Sequence, residues 1–193
     1  MPHIIALSGG IGCGKSLVSK ILSYFGFYVY DCDSNAKKLM DSDSEIKLQI
    51  AEKISPKAID QNGAIDRKIL SDIVFNDSDK LSILNSIVHT SVKNDISKWI
   101  ELYSSQRTLF IETAILYQSG LDKMVDEVWE IKTPTELQIS RVMKRNNLSK
   151  TAVEARIQSQ KLSNNHPKHK NIKIIINDNN SPILPQLYAL IEI

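Results

Sequence analysis

"LSGGIGCGKS", residues 7–16, decides the fold. Four of the six residues from 9 to 14 are glycine, lysine and serine follow, and the apolar run "HIIAL" leads in. Gly9, Gly14, Lys15 and Ser16 satisfy the spacing G-x-x-x-x-G-K-[ST]. Each residue type has a physical reason. Glycine lets successive backbone N–H groups turn inward around an anion with no Cβ in the way. A helix beginning at the lysine adds the partial positive charge of its N-terminus. The lysine ammonium bridges β- and γ-phosphates, and the serine hydroxyl reaches Mg2+. The rival dinucleotide pattern G-x-G-x-x-G fails: counted from Gly10 and Gly12, its third glycine falls on Lys15. The stretch predicts a strand–loop–helix unit around a nucleoside triphosphate. Gly10, Ile11, Gly12, Cys13, Gly14, Lys15, Ser16 and Leu17 line it, with Ser16 on the metal.

Outward from this loop, short apolar runs alternate with longer helical patterns. The runs are 3–8, 27–31, 108–113, 127–132 and 172–177, and their composition suits strands buried on both faces. Residues 15–25 place Leu17, Val18, Ile21, Leu22 and Phe25 on one helical face, with Gly26 as the stop. Strands separated by helices predict an α/β fold, a P-loop core with a five-stranded parallel sheet flanked by helices. That core is expected at 1–35, 106–134 and 166–193. A helical insertion is expected at 36–105, with an Asn-Gly turn in "DQNGAID" (60–66). A second, basic helical insertion, 135–165, reads as a lid.

The bulk properties restrict the partners. The chain has 193 residues, and its 24 basic and 22 acidic residues leave a net charge of +2, with no excess that would point to nucleic acid. No apolar run approaches the roughly 18 residues of a membrane span, and the N-terminus lacks the pattern of a secretory signal. Cys13 and Cys32 both sit in candidate site motifs, without the spacing of a metal pair. A monomer in a reducing cytoplasm, acting on small molecules, is expected.

Three further stretches carry chemistry. In "VYDCDSNA" (29–36), Asp31 and Asp33 fall at the carboxyl end of the second strand, the edge where ligands lie in open α/β sheets. A carboxylate there can accept the proton of an attacking hydroxyl. Equally, Asp33 or Ser34 can cap the helix that follows. "LFIE" (109–112) brings Glu112 to the end of a strand, where an acid beside a P-loop contacts Mg2+. In "SRVMKR" (140–145), Arg141 and Arg145 share a helix face and can close over the phosphates, or else form a solvated basic face with Lys144, Arg156 and Lys161. His89 lies among apolar neighbours, where packing or capping is the usual role, and His166 and His169 read as loop residues.

The N-K-x-D element by which a GTPase reads guanine is missing, which leaves a small-molecule kinase or a nucleotide-binding module without transfer chemistry. The sequence resembles the dephospho-CoA kinase family along nearly its whole length. The resemblance rests on "LSGGIGCGKS", "VYDCDSNAKKL", "NGAIDRKILSDIVF" (62–75), "LNSIVHTSV", "ETAILYQSGL", "QISRVMKR" and "ARIQSQ". It implies ATP-dependent phosphorylation of the ribose 3′-hydroxyl of dephospho-CoA, with Mg2+, the last step of coenzyme A biosynthesis. It also implies that the insertion binds the acceptor. By the same resemblance Asp33 is the catalytic aspartate, Lys15 holds the transferring group and Arg141 contacts the transition state. Arg145 belongs to the lid, and Asp31, Asp66, Arg67 and His89 serve the acceptor. The turn from Asn177 is a neighbour of adenine. The chain departs from the family pattern at Thr90, Ala114, Gln118, Asn146 and Asn171-Ile172.

Overall fold

The computed structural model of the protein describes residues 1–163 and 168–191; His166 lies outside them. The strands are β1 (His3–Ser8), β2 (Tyr28–Asp31), β3 (Thr108–Glu112), β4 (Glu127–Lys132) and β5 (Ile172–Ile176). They form one sheet in the order β2-β3-β1-β4-β5. Pairing is parallel between β1 and β3, β1 and β4, and β4 and β5, as alternating strands and helices require. The helices are α1 (Lys15–Tyr24), α2 (Cys32–Ser42), α3 (Ser44–Lys53), α4 (Arg67–Phe75), α5 (Ser78–Leu102), α6 (Thr135–Asn146), α7 (Lys150–Ser163) and α8 (Ile183–Ile191).

Two compact units result: residues 1–30 with 103–193, and residues 31–102. In the first, Ile5 and Leu7 of β1, Val18 and Leu22 of α1, Phe110 of β3 and Trp129 and Ile131 of β4 share a core with Ile175 and Leu187. Phe110 and Trp129 meet edge to face, their ring centroids 5.1 Å apart. β1, β3 and β4 are buried as their apolar runs predict. The outer strands are not. Ile174 and Ile176 of β5 and Tyr28 of β2 are exposed, because an edge strand meets fewer covering helices. At the β5 edge the side chain of Gln186 accepts from Ile176 N–H and donates to Ile176 C=O.

Helix α1 stops as its glycine predicts, with Gly26 at φ +89°. Its apolar face is narrower than the spacing suggests. Val18 and Leu22 are buried, whereas Leu17 is 48% exposed beside Ser16 in the first turn. Helices α6 and α7 turn at Asn147, a left-handed residue at φ +51°, and pack through Ile139, Val142, Val153 and Ile157. Ile11 of the glycine-rich loop packs into this cluster.

The second unit is helical. Ile46, Ile50 and Ile54 of α3 and its end meet Ala58, Leu70 and Val74, with Ile87 of α5. The turn at 60–66 closes as read: Gly63 has φ +74°, Asp60 and Ala64 bond across it, and Ile59 and Ile65 form an isolated antiparallel bridge.

Candidate active site

The glycine-rich loop leaves β1 at Ser8 and enters α1 at Lys15. Gly12 and Gly14 show why glycine is required. Gly12 has φ +75°, and a Cβ there would lie 2.8 Å from both the Gln138 carbonyl oxygen and Val142 Cγ2. Gly14 has φ +97°, and a Cβ there would collide with the Asn177 amide. Both positions need the left-handed backbone and the missing side chain. The Lys15 ammonium lies over the loop, donating to the carbonyls of Gly9 at 3.0 Å and Gly10 at 3.2 Å.

The loop is held from distant parts of the chain. Asn177 Nδ2 donates to the Cys13 carbonyl at 2.8 Å. Thr133 Oγ1 lies 2.9 Å from the carbonyls of both Cys13 and Asn177, so its single proton serves one at a time. Gln160 Oε1 accepts from Ile11 N–H at 2.8 Å, tying α7 to the loop. Gln138 Nε2 donates to Thr133 C=O at 2.7 Å. Burial pushes the Cys13 thiol above its ordinary range, against the pull of the Lys15 charge, so it stays protonated at neutral pH.

Glu112, at the end of β3, is buried and faces α1. Ser16 Oγ donates to its Oε1 at 2.8 Å and Ser19 Oγ to its Oε2 at 2.5 Å. A hydroxyl and a carboxylate are hard oxygen donors, and they fit Mg2+, which takes its remaining ligands from phosphates and water. Arg141 reaches across to the turn after β5, with Nη2 donating to Asn179 Oδ1 at 2.6 Å and to Asn177 Oδ1 at 3.2 Å. Arg145 Nε donates to Asn146 Oδ1. Gly12, Gly14, Lys15, Ser16, Arg141, Val142 and Arg145 line one cleft of about 170 Å3. The structure thus brings together the loop, Lys15, Ser16, Glu112 and both arginines. The turn from Asn177, read as a neighbour of adenine, holds the loop and Arg141.

The remaining predicted residues belong to the second unit. Asp31 is the N-cap of α2, accepting from Ser34 N–H, so the cap is neither Asp33 nor Ser34. The helix begins at Cys32, and its first free N–H groups point back at Asp31. Asp33 is exposed in the first turn, and among the described residues its carboxylate makes no hydrogen bond or ion pair. Asp66 caps α4 through the N–H groups of Lys68 and Ile69. Arg67 pairs with Asp41 at 2.7 Å. His89 is half-buried in α5, and burial, with Lys93 adding to it, lowers its pKa. A separate cleft of about 520 Å3 runs between α3 and α5, lined by Gln49, Lys53, Ser86, Thr90, Asn94 and Lys98 among others. Asp33, Asp66, Arg67 and His89 are not in its lining.

Sequence reading missed Ser19, Thr133, Gln138 and Gln160. Ser19 left a trace, as a polar residue three positions from Ser16 on a face shared with Val18 and Leu22. Thr133 follows directly on β4, at the ligand edge of the sheet. The two glutamines left none.

The family model described as dephospho-CoA kinase matches residues 3–183. A protein from Staphylococcus aureus (strain bovine RF122 / ET3-1) named dephospho-CoA kinase is 39% identical over 161 residues, 83% of this chain and 78% of that one. Among solved structures, the dephospho-CoA kinase from Campylobacter jejuni superposes with a TM-score of 0.70 at 29% identity, covering 100% of this chain and 96% of the other. TT1252 from Thermus thermophilus superposes with a TM-score of 0.77 at 28% identity, covering 99% and 95%. The shikimate kinase from Bacteroides thetaiotaomicron shares the fold alone, at 10% identity and a TM-score of 0.53 over 99% of each chain. With the phosphate loop, the acid at β3 and the arginines of α6 in one unit and a family match over nearly its whole length, the chain belongs to the dephospho-CoA kinase family.

Proposed function

We propose that this protein transfers the γ-phosphoryl group of ATP to the ribose 3′-hydroxyl of dephospho-CoA, giving CoA and ADP. The observation that carries the reading is the cleft in which Lys15, Ser16, Arg141 and Arg145 converge on the glycine-rich loop, in a chain of this family. The loop N–H groups from Gly10 to Leu17 and the start of α1 take the phosphates of ATP. Lys15 exchanges its loop carbonyls for the β- and γ-phosphates and follows the charge that moves between them. Arg141 and Arg145 offset charge on the equatorial oxygens in the transition state, with Arg141 in the nearer role. Ser16 and Glu112 hold Mg2+, which when bound neutralises charge on the phosphate oxygens.

Asp33 is assigned as the base on the family resemblance, and its exposed, unengaged carboxylate supports the role. The acceptor 3′-oxygen attacks phosphorus, its proton passes to Asp33, the bond from phosphorus to the β–γ bridging oxygen breaks, and ADP leaves. Asp31, Asp66, Arg67 and His89 are assigned to the acceptor side, where capping by Asp31 and Asp66 and the Arg67–Asp41 pair shape local structure. The assignment of residues 31–102 as acceptor-binding and of α6 with α7 as a lid belongs to the same reading. So does a monomer in the cytoplasm, supported by two buried cysteine thiols, and sedimentation at micromolar concentration tests the monomer.

The deciding experiment follows ADP release with ATP, Mg2+ and a panel of acceptors. ADP should form with dephospho-CoA and not with nucleoside monophosphates, and the product should gain one phosphoryl group by mass. ADP no faster than an acceptor-free control under Mg2+, Mn2+ and Co2+ overturns the reading. Asp33→Asn should cut turnover about a hundredfold or more while retaining ATP binding; near-normal turnover removes Asp33 as the base.

A further inference from the structure

Glu112 uses both carboxylate oxygens, and only one of its two serine partners belongs to the phosphate loop. Ser16 Oγ donates to Oε1 and Ser19 Oγ donates to Oε2. We propose that Ser19 is a positioning residue for phosphoryl transfer: it fixes the Glu112 carboxylate so that Ser16 presents its oxygen to the divalent cation accompanying the nucleotide. This rests on the kinase reading above and deepens it.

Four observations carry the assignment. Positions 16 and 19 are three apart on α1, so both hydroxyls share a face and one carboxylate can span them. Ser19 and Glu112 are only 8% exposed each, so water does not substitute for a lost partner. A serine inside a helix commonly returns its hydroxyl to a carbonyl four residues back, as Ser23 does to Ser19 C=O at 3.0 Å. Ser19 instead sends its hydroxyl to β3, across 93 residues of sequence, in a short bond to a carboxylate.

The consequence for the cation follows from hydrogen-bond directions. While Glu112 Oε1 accepts the Ser16 proton, the lone pairs of Ser16 Oγ are free to face a metal ion. If Glu112 swings away, that proton loses its acceptor and the oxygen loses its orientation. Ser19 prevents the swing by engaging the second oxygen. Outer partners of this type typically carry tenfold or greater effects on metal affinity.

The test measures Mn2+ binding directly, by the loss of free-ion electron paramagnetic resonance signal on titrating Mn2+ into the intact protein with saturating ADP. Ser19→Ala should weaken Mn2+ binding about tenfold, with ADP affinity in EDTA unchanged. Ser19→Thr, which keeps the hydroxyl, should bind within about twofold of the native protein. Equal Mn2+ affinity in the native and Ser19→Ala proteins overturns the proposal and leaves the kinase reading intact. Failure of native protein with ADP to bind Mn2+ overturns both. Should Ser19→Ala not fold, Ser19→Cys keeps the volume with a weak donor, and native affinity in that variant overturns the proposal.

Discussion

The phosphate loop and the helical insertion use polar side chains in opposite ways. Around the loop the bonds span the chain: Ser16 to Glu112 over 96 residues, Ile11 to Gln160 over 149, and Cys13 to Asn177 over 164. In residues 31–102 several acids close bonds two to four residues away. Asp31 takes Ser34, Asp43 takes Glu45, Asp60 takes Asn62 and Ala64, and Asp66 takes Lys68 and Ile69. Arg67 and Asp41 bond over a longer span, 26 residues. The difference teaches where preorganisation comes from. The loop has no regular structure of its own and acquires its shape from the rest of its unit, whereas the insertion is assembled from helices that cap themselves around an isoleucine-rich core.

Substitutions should separate the two regions. The largest effect belongs to Lys15→Ala, which should lower turnover about a hundredfold or more with the far-ultraviolet circular dichroism spectrum unchanged. A fall below tenfold would mean that the loop holds phosphate without the ammonium. Next is Asn177→Ala, which removes a buried donor to the Cys13 carbonyl. It should cost about 1–3 kcal/mol in urea unfolding and also weaken ADP binding by calorimetry. Loss of stability with native ADP affinity would show that the long-range bonds support the fold but not the loop's shape. Smaller is Asp43→Ala in the insertion, the α3 cap, which should cost about 1 kcal/mol and leave ADP affinity untouched.

The smallest effect is on pH. His89 has its folded pKa lowered, chiefly by burial, so the unfolded chain binds the proton more readily. Its contribution is neutral above the ordinary value of 6.5, and stability falls as pH drops through that value towards the folded pKa. Urea midpoints at pH 7.5, 6.5 and 5.5 should decline, and His89→Gln should flatten the decline.

This contrast also explains which features could be read in the sequence. The strands, the loop, Glu112, Arg141 with Arg145 and the turn at Gly63 are local in origin: an apolar run, a glycine spacing, an i,i+4 pair, an Asn-Gly step. The apolar run at 172–177 predicts more burial than β5 has, because such a run does not reveal whether a strand lies at an edge. Periodicity puts Leu17 on the buried face, being blind to where the first turn of a helix opens beside the glycine-rich loop. Asp31 took the cap expected of Asp33 or Ser34 because β2 hands over to α2 with no intervening residue. Thr133, Gln138 and Gln160 act through partners far away in sequence or main-chain atoms, and neither leaves a periodic mark.

The amide of Gln186 has a further consequence. It offers Ile176 one acceptor and one donor, the two groups that a sixth strand would offer at that position. A borrowed side chain thus occupies the place of the next backbone, and the sheet ends at β5 although its outer isoleucines would suit further pairing. The growth of the sheet is halted there by one residue of a helix that only six residues separate from the strand.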